Sequence, residues 1–224
     1  MLRQVFLSLA VLSGLVLSTP MVVGAVSGFA DPAPSAELLV KAKQLYYSGI
    51  SGNAADLSQS AELFETLSEG RNEPLSNQAL INAYRGSLLL MEAGRSLAIW
   101  KKSALSKRGL SLLDDSVSAD PTNLEVRFVR AATTLHLPGF FKRHEQSCED
   151  FRYIAPRAAE AAGKQNLDVR LAAGALFMYA KSCAIDSVLS SDEAMRQAAK
   201  VAPHSPAGEA AGSELASRHA ATHP

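Results

Sequence analysis

From residue 36 onward, apolar positions recur every three or four residues and seldom every two, which predicts helices and no sheet. Leu38, Leu39, Ala42, Leu45 and Tyr46 share one face of a first helix over 36–48, which two glycines between 49 and 53 then break. Leu57, Ala61, Phe64 and Leu67 mark a second helix, with Asp56 or Ser58 as its cap. Leu80, Ala83, Tyr84, Ser87, Leu88 and Met91 mark a third over 75–93, with Gly94 past its end. The clearest stretch is 109–141. Leu110, Leu113 and Val117 form a stripe, and Pro121 ends the helix because it lacks a backbone donor and biases its predecessor away from helical angles. Thr122 or Asn123 caps the next helix, with Glu125 in its first turn, where the helix dipole favours a carboxylate. A Thr122 cap makes a capping box with Glu125, and an Asn123 cap does not. Phe128, Ala131, Ala132 and Leu135 form the apolar face of this second helix, expected to run back beside the first.

Further helices are expected over 147–163, with Pro156 a candidate interruption, over 167–185 with a broad apolar stripe, and over 192–201. Between Gly94 and Gly109 the apolar period slips near Ser103, so 96–119 reads as one helix or two pieces. Residues 204–224 are rich in Ala, Gly and Ser and hold a capping helix over 207–218 or a frayed tail.

The helices carry a recurring spacing: a small residue, a large apolar one four later, a small one three later, then proline five after that. Gly109, Leu113, Ser116 and Pro121 fit it with small residues at the outer positions, as do Ser191, Met195, Ala198 and Pro203. His144, Cys148, Phe151 and Pro156 fit the spacing without the small residues, and Ser60, Phe64 and Leu67 are followed by Pro74 two positions late. The prolines lie 47, 35 and 47 residues apart. This resembles a divergent tetratricopeptide repeat, whose period is roughly 34 residues. The resemblance implies an all-α fold of stacked antiparallel helix hairpins in a right-handed array over 36–203. It also implies that the concave face holds a protein or peptide partner. In that register Glu125, Phe128, Ala132 and Leu135 face the partner, and Arg130 stands beside them.

The N-terminal 30 residues read as a signal peptide. Arg3 precedes the apolar run of residues 5–17, Pro20 breaks it, and small residues precede candidate cleavage points after Ala25 and Ala30, of which Ala30 is favoured. Residues 31–35 then form a Pro/Ala linker. The alternative is an uncleaved inner-membrane anchor, since no charge interrupts residues 5–30 and that length spans a bilayer. Either reading places the folded part across a membrane, in a periplasm or outside the cell, with membrane contact expected only if the segment stays attached.

The 224 residues carry 22 basic and 22 acidic side chains, so there is no electrostatic case for nucleic acid or for bulk attraction to anionic membranes. Two cysteines, Cys148 and Cys183, form an even count in an exported chain and are read as a disulfide or as two buried thiols. His144 and Cys148, four apart with His136 nearby, make only a weak metal pattern. Arg127 and Arg130 either hold an anionic ligand together or pair with Asp114, Asp115 or Glu149. Five cations around Trp100 read as an anionic-partner patch or as a solvated face with the tryptophan in the core, the latter being the expectation. Phe140 and Phe141 are expected to pack inward. Nucleophile elbows, zinc-protease motifs, Walker loops and dinucleotide fingerprints do not occur, so neither catalysis nor a cofactor is expected. The expected function is an envelope scaffold binding a protein or peptide. The alternative is a small-ligand carrier or transporter accessory with a pocket between helices.

Overall fold

The computed structural model describes residues 34–70, 75–184 and 189–222, and among them every regular element is helical. The expected signal peptide, the cleavage points and Pro74 lie outside these residues. The helices are α1 (Pro34–Ile50), α2 (Ala54–Glu69), α3 (Leu75–Arg95), α4 (Ile99–Ala119), α5 (Leu124–Thr134), α6 (His144–Gly163), α7 (Val169–Ser182), α8 (Ser191–Val201) and α9 (Pro206–Thr222), with a 3₁₀ turn at Gly139–Phe141. Short connections force neighbours to run antiparallel. The main pairings are α1 with α2, α3 with α4, α5 with α6, and α7 with α8; α6 also packs closely on α7, and α9 packs on α8 and closes the end. The odd-numbered helices α3, α5, α7 and α9 also pack each on the next, so they form one layer and the even-numbered helices back it. The C-terminal ends of the odd-numbered helices therefore lie along one edge and those of the even-numbered helices along the other.

The turn at Asp120–Asn123 is thus a junction between hairpins. α4 does touch α5, but its main partner is α3, and α5 packs chiefly on α6 and α3. The reason lies partly in two glycines. A Cβ on Gly86 would stand 2.7 Å from the Gly109 carbonyl oxygen, and one on Gly109 would stand 2.8 Å from that of Gly86. The backbones of α3 and α4 come together only because neither residue has a side chain. α4 is one unbroken helix, so the slip near Ser103 marks a change of environment and not a break.

Asn123 is the cap of α5: its side-chain oxygen accepts from the backbone N–H of Glu125 and Val126, both at 3.1 Å. No Thr122 capping box forms, and the Glu125 carboxylate is released to other partners. α6 runs seven residues past Pro156. Pro156 lies on the exposed side of the helix, where water can satisfy the carbonyl its ring deprives of a donor. α4 and α8 do stop just before Pro121 and Pro203.

Two apolar clusters meet at α5. Val126 and Val129 join Phe64, Ile81, Tyr84 and Leu113 on one side. Phe128, Ala131 and Leu135 join Phe151, Ile154, Leu176 and Met195 on the other. The Cys148 and Cys183 sulfurs are 2.07 Å apart, a disulfide joining the first turns of α6 to the end of α7. No helix among the described residues is long and apolar enough to cross a membrane.

Candidate functional site

The free face of the odd-numbered layer carries the one place among the described cavities where buried polar groups from several helices converge. Lys43 and Tyr47 stand one turn apart on α1, Tyr84 lies mid-α3, and Glu125 occupies the first turn of α5. The Lys43 ammonium lies 2.6 and 2.9 Å from the two Glu125 oxygens. The Tyr84 hydroxyl donates to Glu125 Oε1 at 2.6 Å. Its single proton is thereby committed, so the Tyr47 hydroxyl, 2.7 Å away, must donate to Tyr84. A polar chain from Tyr47 through Tyr84 and Glu125 to Lys43 thus crosses three stacked helices. Edge-to-face contacts of Tyr46 with Tyr47 and Tyr84, and stacking of Phe64 on Tyr84, fix the rings.

This chain floors a cleft. Its larger part, about 540 Å³, opens between α1 and the start of α7 and is lined by Val40, Lys43, Tyr47, Asp168, Arg170 and Leu171 among others. A neighbouring depression of about 390 Å³ shares Lys43 and Asp168 and adds Glu125, Gln165, Asn166 and Val169. Two helices separated by α3 and α5 in the stack line one cleft, so the odd-numbered layer curls toward itself. Asp168 caps α7, accepting from the Arg170 backbone N–H at 2.8 Å and from its guanidinium at 3.2 Å. Partial burial opposes ionisation of Asp168, but these bonds and the Arg170 charge hold its carboxyl below the usual carboxylate range. The cleft therefore presents two fixed opposite-charge pairs, Lys43–Glu125 and Arg170–Asp168, between the apolar walls of Val40 and Leu171.

Burial pushes the Tyr46, Tyr47 and Tyr84 phenols above their ordinary value, the last two strongly, and the Glu125 charge adds to the effect on Tyr47 and Tyr84. An acid whose folded value exceeds its unfolded value of roughly 10 stabilises the fold fully below that pH and loses the contribution as pH rises through the folded value. In a titration followed at 295 nm, these three of the five tyrosines are expected to stay protonated until helicity collapses in alkali. If all five ionise near pH 10 with the helical signal intact, the buried chain is not formed.

The residues singled out from the sequence divide between this site and the interior. Glu125 is in the cleft, and Ala132 is half-buried on the same helix. Phe128 packs edge-on against Phe151 and touches the Gly174 position of α7, and Leu135 is buried in the same cluster. Arg130 is buried too. Its guanidinium gives Asp150 two bonds of 2.7 and 2.9 Å, and Arg127 gives Asp150 a third of 2.6 Å. Phe128, Arg130 and Leu135 therefore offer a partner no surface, because an α5 flanked by α3, α6 and α7 has little free face left. Of the acids expected to pair with Arg127 and Arg130, Asp114 is reached by Arg130 alone, at 3.4 Å, and it also pairs with Arg143 at 2.7 Å. Asp150 takes the place expected of Asp115 or Glu149, because it alone of these three lies on the buried side of its helix. Cys148 is bonded to Cys183, with the exposed His144 ring 3.7 Å from its sulfur. Trp100 and Phe140 are exposed, contrary to the expectation of core packing.

Sequence reasoning missed Lys43, Tyr47, Tyr84, Asp168 and Arg170 as a group. The only local trace was the one-turn spacing of Lys43 and Tyr47, a polar group beside an aromatic on an otherwise apolar face. No family model, curated protein or solved structure matches this chain.

Proposed function

We propose that this protein is an exported helical-repeat scaffold whose cleft between α1 and α7 holds a segment of another polypeptide, and that it binds without converting what it holds. The observation that carries the reading is the cleft itself: an open trough with apolar walls and two fixed ion pairs on its floor and rim. Apolar walls supply burial, and pre-paired charges set register, as peptide-binding grooves require. The stacking of odd-numbered helices into a curling inner layer agrees with the tetratricopeptide resemblance, in which that layer receives the partner. Glu125 and Ala132 keep their place in this reading. Export rests on the signal-like residues 1–30 and is supported by the disulfide, a bond that persists in oxidising compartments such as a periplasm. The carrier alternative needs a deep enclosed apolar cavity, and an open trough with charged sides favours a chain segment instead.

Photo-crosslinking tests this directly. A benzophenone amino acid in place of Gln44, exposed at the cleft rim, should yield one defined polypeptide adduct in the native envelope, and one in place of Arg157 on the exposed side of α6 should not. The charge-reversed Arg170→Glu should abolish the adduct and leave the circular dichroism unchanged. Equal adducts at both sites, or a tightly held small molecule with no adduct, would overturn the scaffold reading.

A further inference from the structure

The α3–α4 connection is the most exposed apolar feature among the described residues. Leu97 is 99% exposed, Ile99 81% and Trp100 80%, three large apolar side chains within four residues. They do not cover a core edge, because the hairpin end stands clear of the neighbouring one. Thr133 Oγ1 donates to Ser87 Oγ at 2.8 Å, and α5 ends one residue later. α3 continues eight residues to Arg95, about 12 Å further along its axis. The first six residues of α4, from Ile99 to Ala104, are all exposed. Ile50, half-exposed, ends α1 at the same edge.

Charge is segregated at the same end. Residues 92–108 hold Arg95, Lys101, Lys102, Lys107 and Arg108 against the single acid Glu92, a net charge of +4 in a chain that is neutral overall. Glu92 is matched by Lys101 at 2.9 Å, and both remain half-exposed. Neutrality excludes attraction of the whole molecule to an anionic surface but says nothing about one end of it.

We infer that this hairpin end is a docking tip for an anionic lipid bilayer, with Leu97, Ile99 and Trp100 entering the headgroup–acyl boundary and Arg95, Lys101 and Lys102 lying among the phosphates. A protein partner requires a broad surface of roughly 800 Å² with shape complementarity. A projecting tip of three outward side chains supplies little of that, whereas a fluid interface needs none. Tryptophan is the residue best suited to the boundary, its ring apolar and its N–H polar, and lysines beside it keep their stems in the apolar layer and their heads in the phosphate layer. Anionic lipids supply the complement to Arg95, Lys101 and Lys102 at the tip within a Debye length, and Lys107 and Arg108 stand about two turns further up α4. The geometry also orients the molecule. Tyr84, buried beneath the cleft, lies eleven residues below Arg95 on α3, about 16 Å along the helix, so a docked tip holds the cleft off the membrane surface.

Trp100 is the only tryptophan of the chain, so its fluorescence reads the tip alone. Full-length protein is mixed with vesicles of phosphatidylcholine, with and without phosphatidylglycerol. The expected result is a blue shift of emission and quenching by brominated acyl chains in the anionic vesicles only, reversed by 0.5 M salt, which shortens the Debye length to roughly 4 Å. In flotation, Lys101→Gln with Lys102→Gln should weaken partitioning roughly 30-fold, and Leu97→Ser with Ile99→Ser should weaken it at least about tenfold, both with unchanged circular dichroism. Emission unshifted while the protein floats would mean that the N-terminal apolar segment alone holds it, and would overturn the proposal. Equal shifts with neutral vesicles would overturn the role of the cations. A blue shift without vesicles that grows with protein concentration would assign the tip to a second copy instead. Loss of the Gln44 crosslink tests the cleft separately, since no tip variant touches it.

Discussion

Asp150→Ala is expected to lower the unfolding free energy by about 3–5 kcal/mol. The Asp150 side chain is 0% exposed and accepts three charged bonds, one from Arg127 and two from Arg130. Its desolvation was offset only by those bonds. Removing the carboxylate strands the Arg130 guanidinium, itself buried, with the Asp114 oxygen at 3.4 Å as its remaining ionic partner. Arg127 suffers less, because it also donates to the Pro121 carbonyl at 2.6 Å and lies over the Tyr153 ring. Arg127→Ala should therefore cost about 1 kcal/mol, in the range of a partly exposed pair. The decisive comparison is the double variant Arg130→Met with Asp150→Leu. Apolar replacement of a whole buried pair is often neutral or better, so this variant should recover most of the loss. Urea unfolding followed by circular dichroism measures all four proteins. A loss below about 1 kcal/mol for Asp150→Ala would show that apolar packing, and not this network, holds α5 on α6.

Opening the Cys148–Cys183 bridge should cost about 4 kcal/mol. The bridge closes a loop across 35 positions, and the chain-entropy relation gives that figure for the freedom restored to the unfolded chain. Both sulfurs are buried, so dithiothreitol should reduce the native protein slowly and the urea-unfolded protein fast. The Cys148→Ala, Cys183→Ala variant should unfold at lower urea concentration than the wild type, and reduced wild type should match it. A typical domain has a stability of roughly 5–15 kcal/mol, so the bridge is a large share of the whole. Mass spectrometry of the protein isolated from its own cells gives the redox state, with a gain of about 2 Da on reduction for the bridged form. Identical unfolding curves with and without the bridge would show that α6 and α7 are held by packing alone and that the unfolded chain is already compact.

These two effects differ in how far the sequence anticipates them. The cysteine pair was visible as an even count in a chain whose N-terminus reads as a signal peptide, although a pair of buried thiols fitted equally well. Asp150 was invisible: it sits in an ordinary Cys-Glu-Asp-Phe run, and only the rotation of α6 sends it inward while Glu149 faces water. The same rotation argument explains Arg130 and Phe128. On an isolated α5 they read as an exposed arginine and a groove-lining aromatic. Packing of α3, α6 and α7 around the helix turned both to the interior. Trp100 shows the converse. A helix of α4's composition in a full stack would bury its tryptophan, but α5 ends too early to cover it.

The sequence by itself determined the helical class, most of the helix boundaries and the stops before Pro121 and Pro203, since these depend on contacts between residues three or four apart and on proline's missing donor. Only the tertiary structure decided which face meets which neighbour. Lys43 and Glu125 are 82 residues apart, and Tyr84 and Glu125 are 41 apart. Apolar periodicity records that a face is covered, not by what, and carries no trace of polar partners on other helices. Where each helix ends relative to its neighbours set the curl that formed the cleft and the projection that bared the tip, and such relative lengths have no local signature.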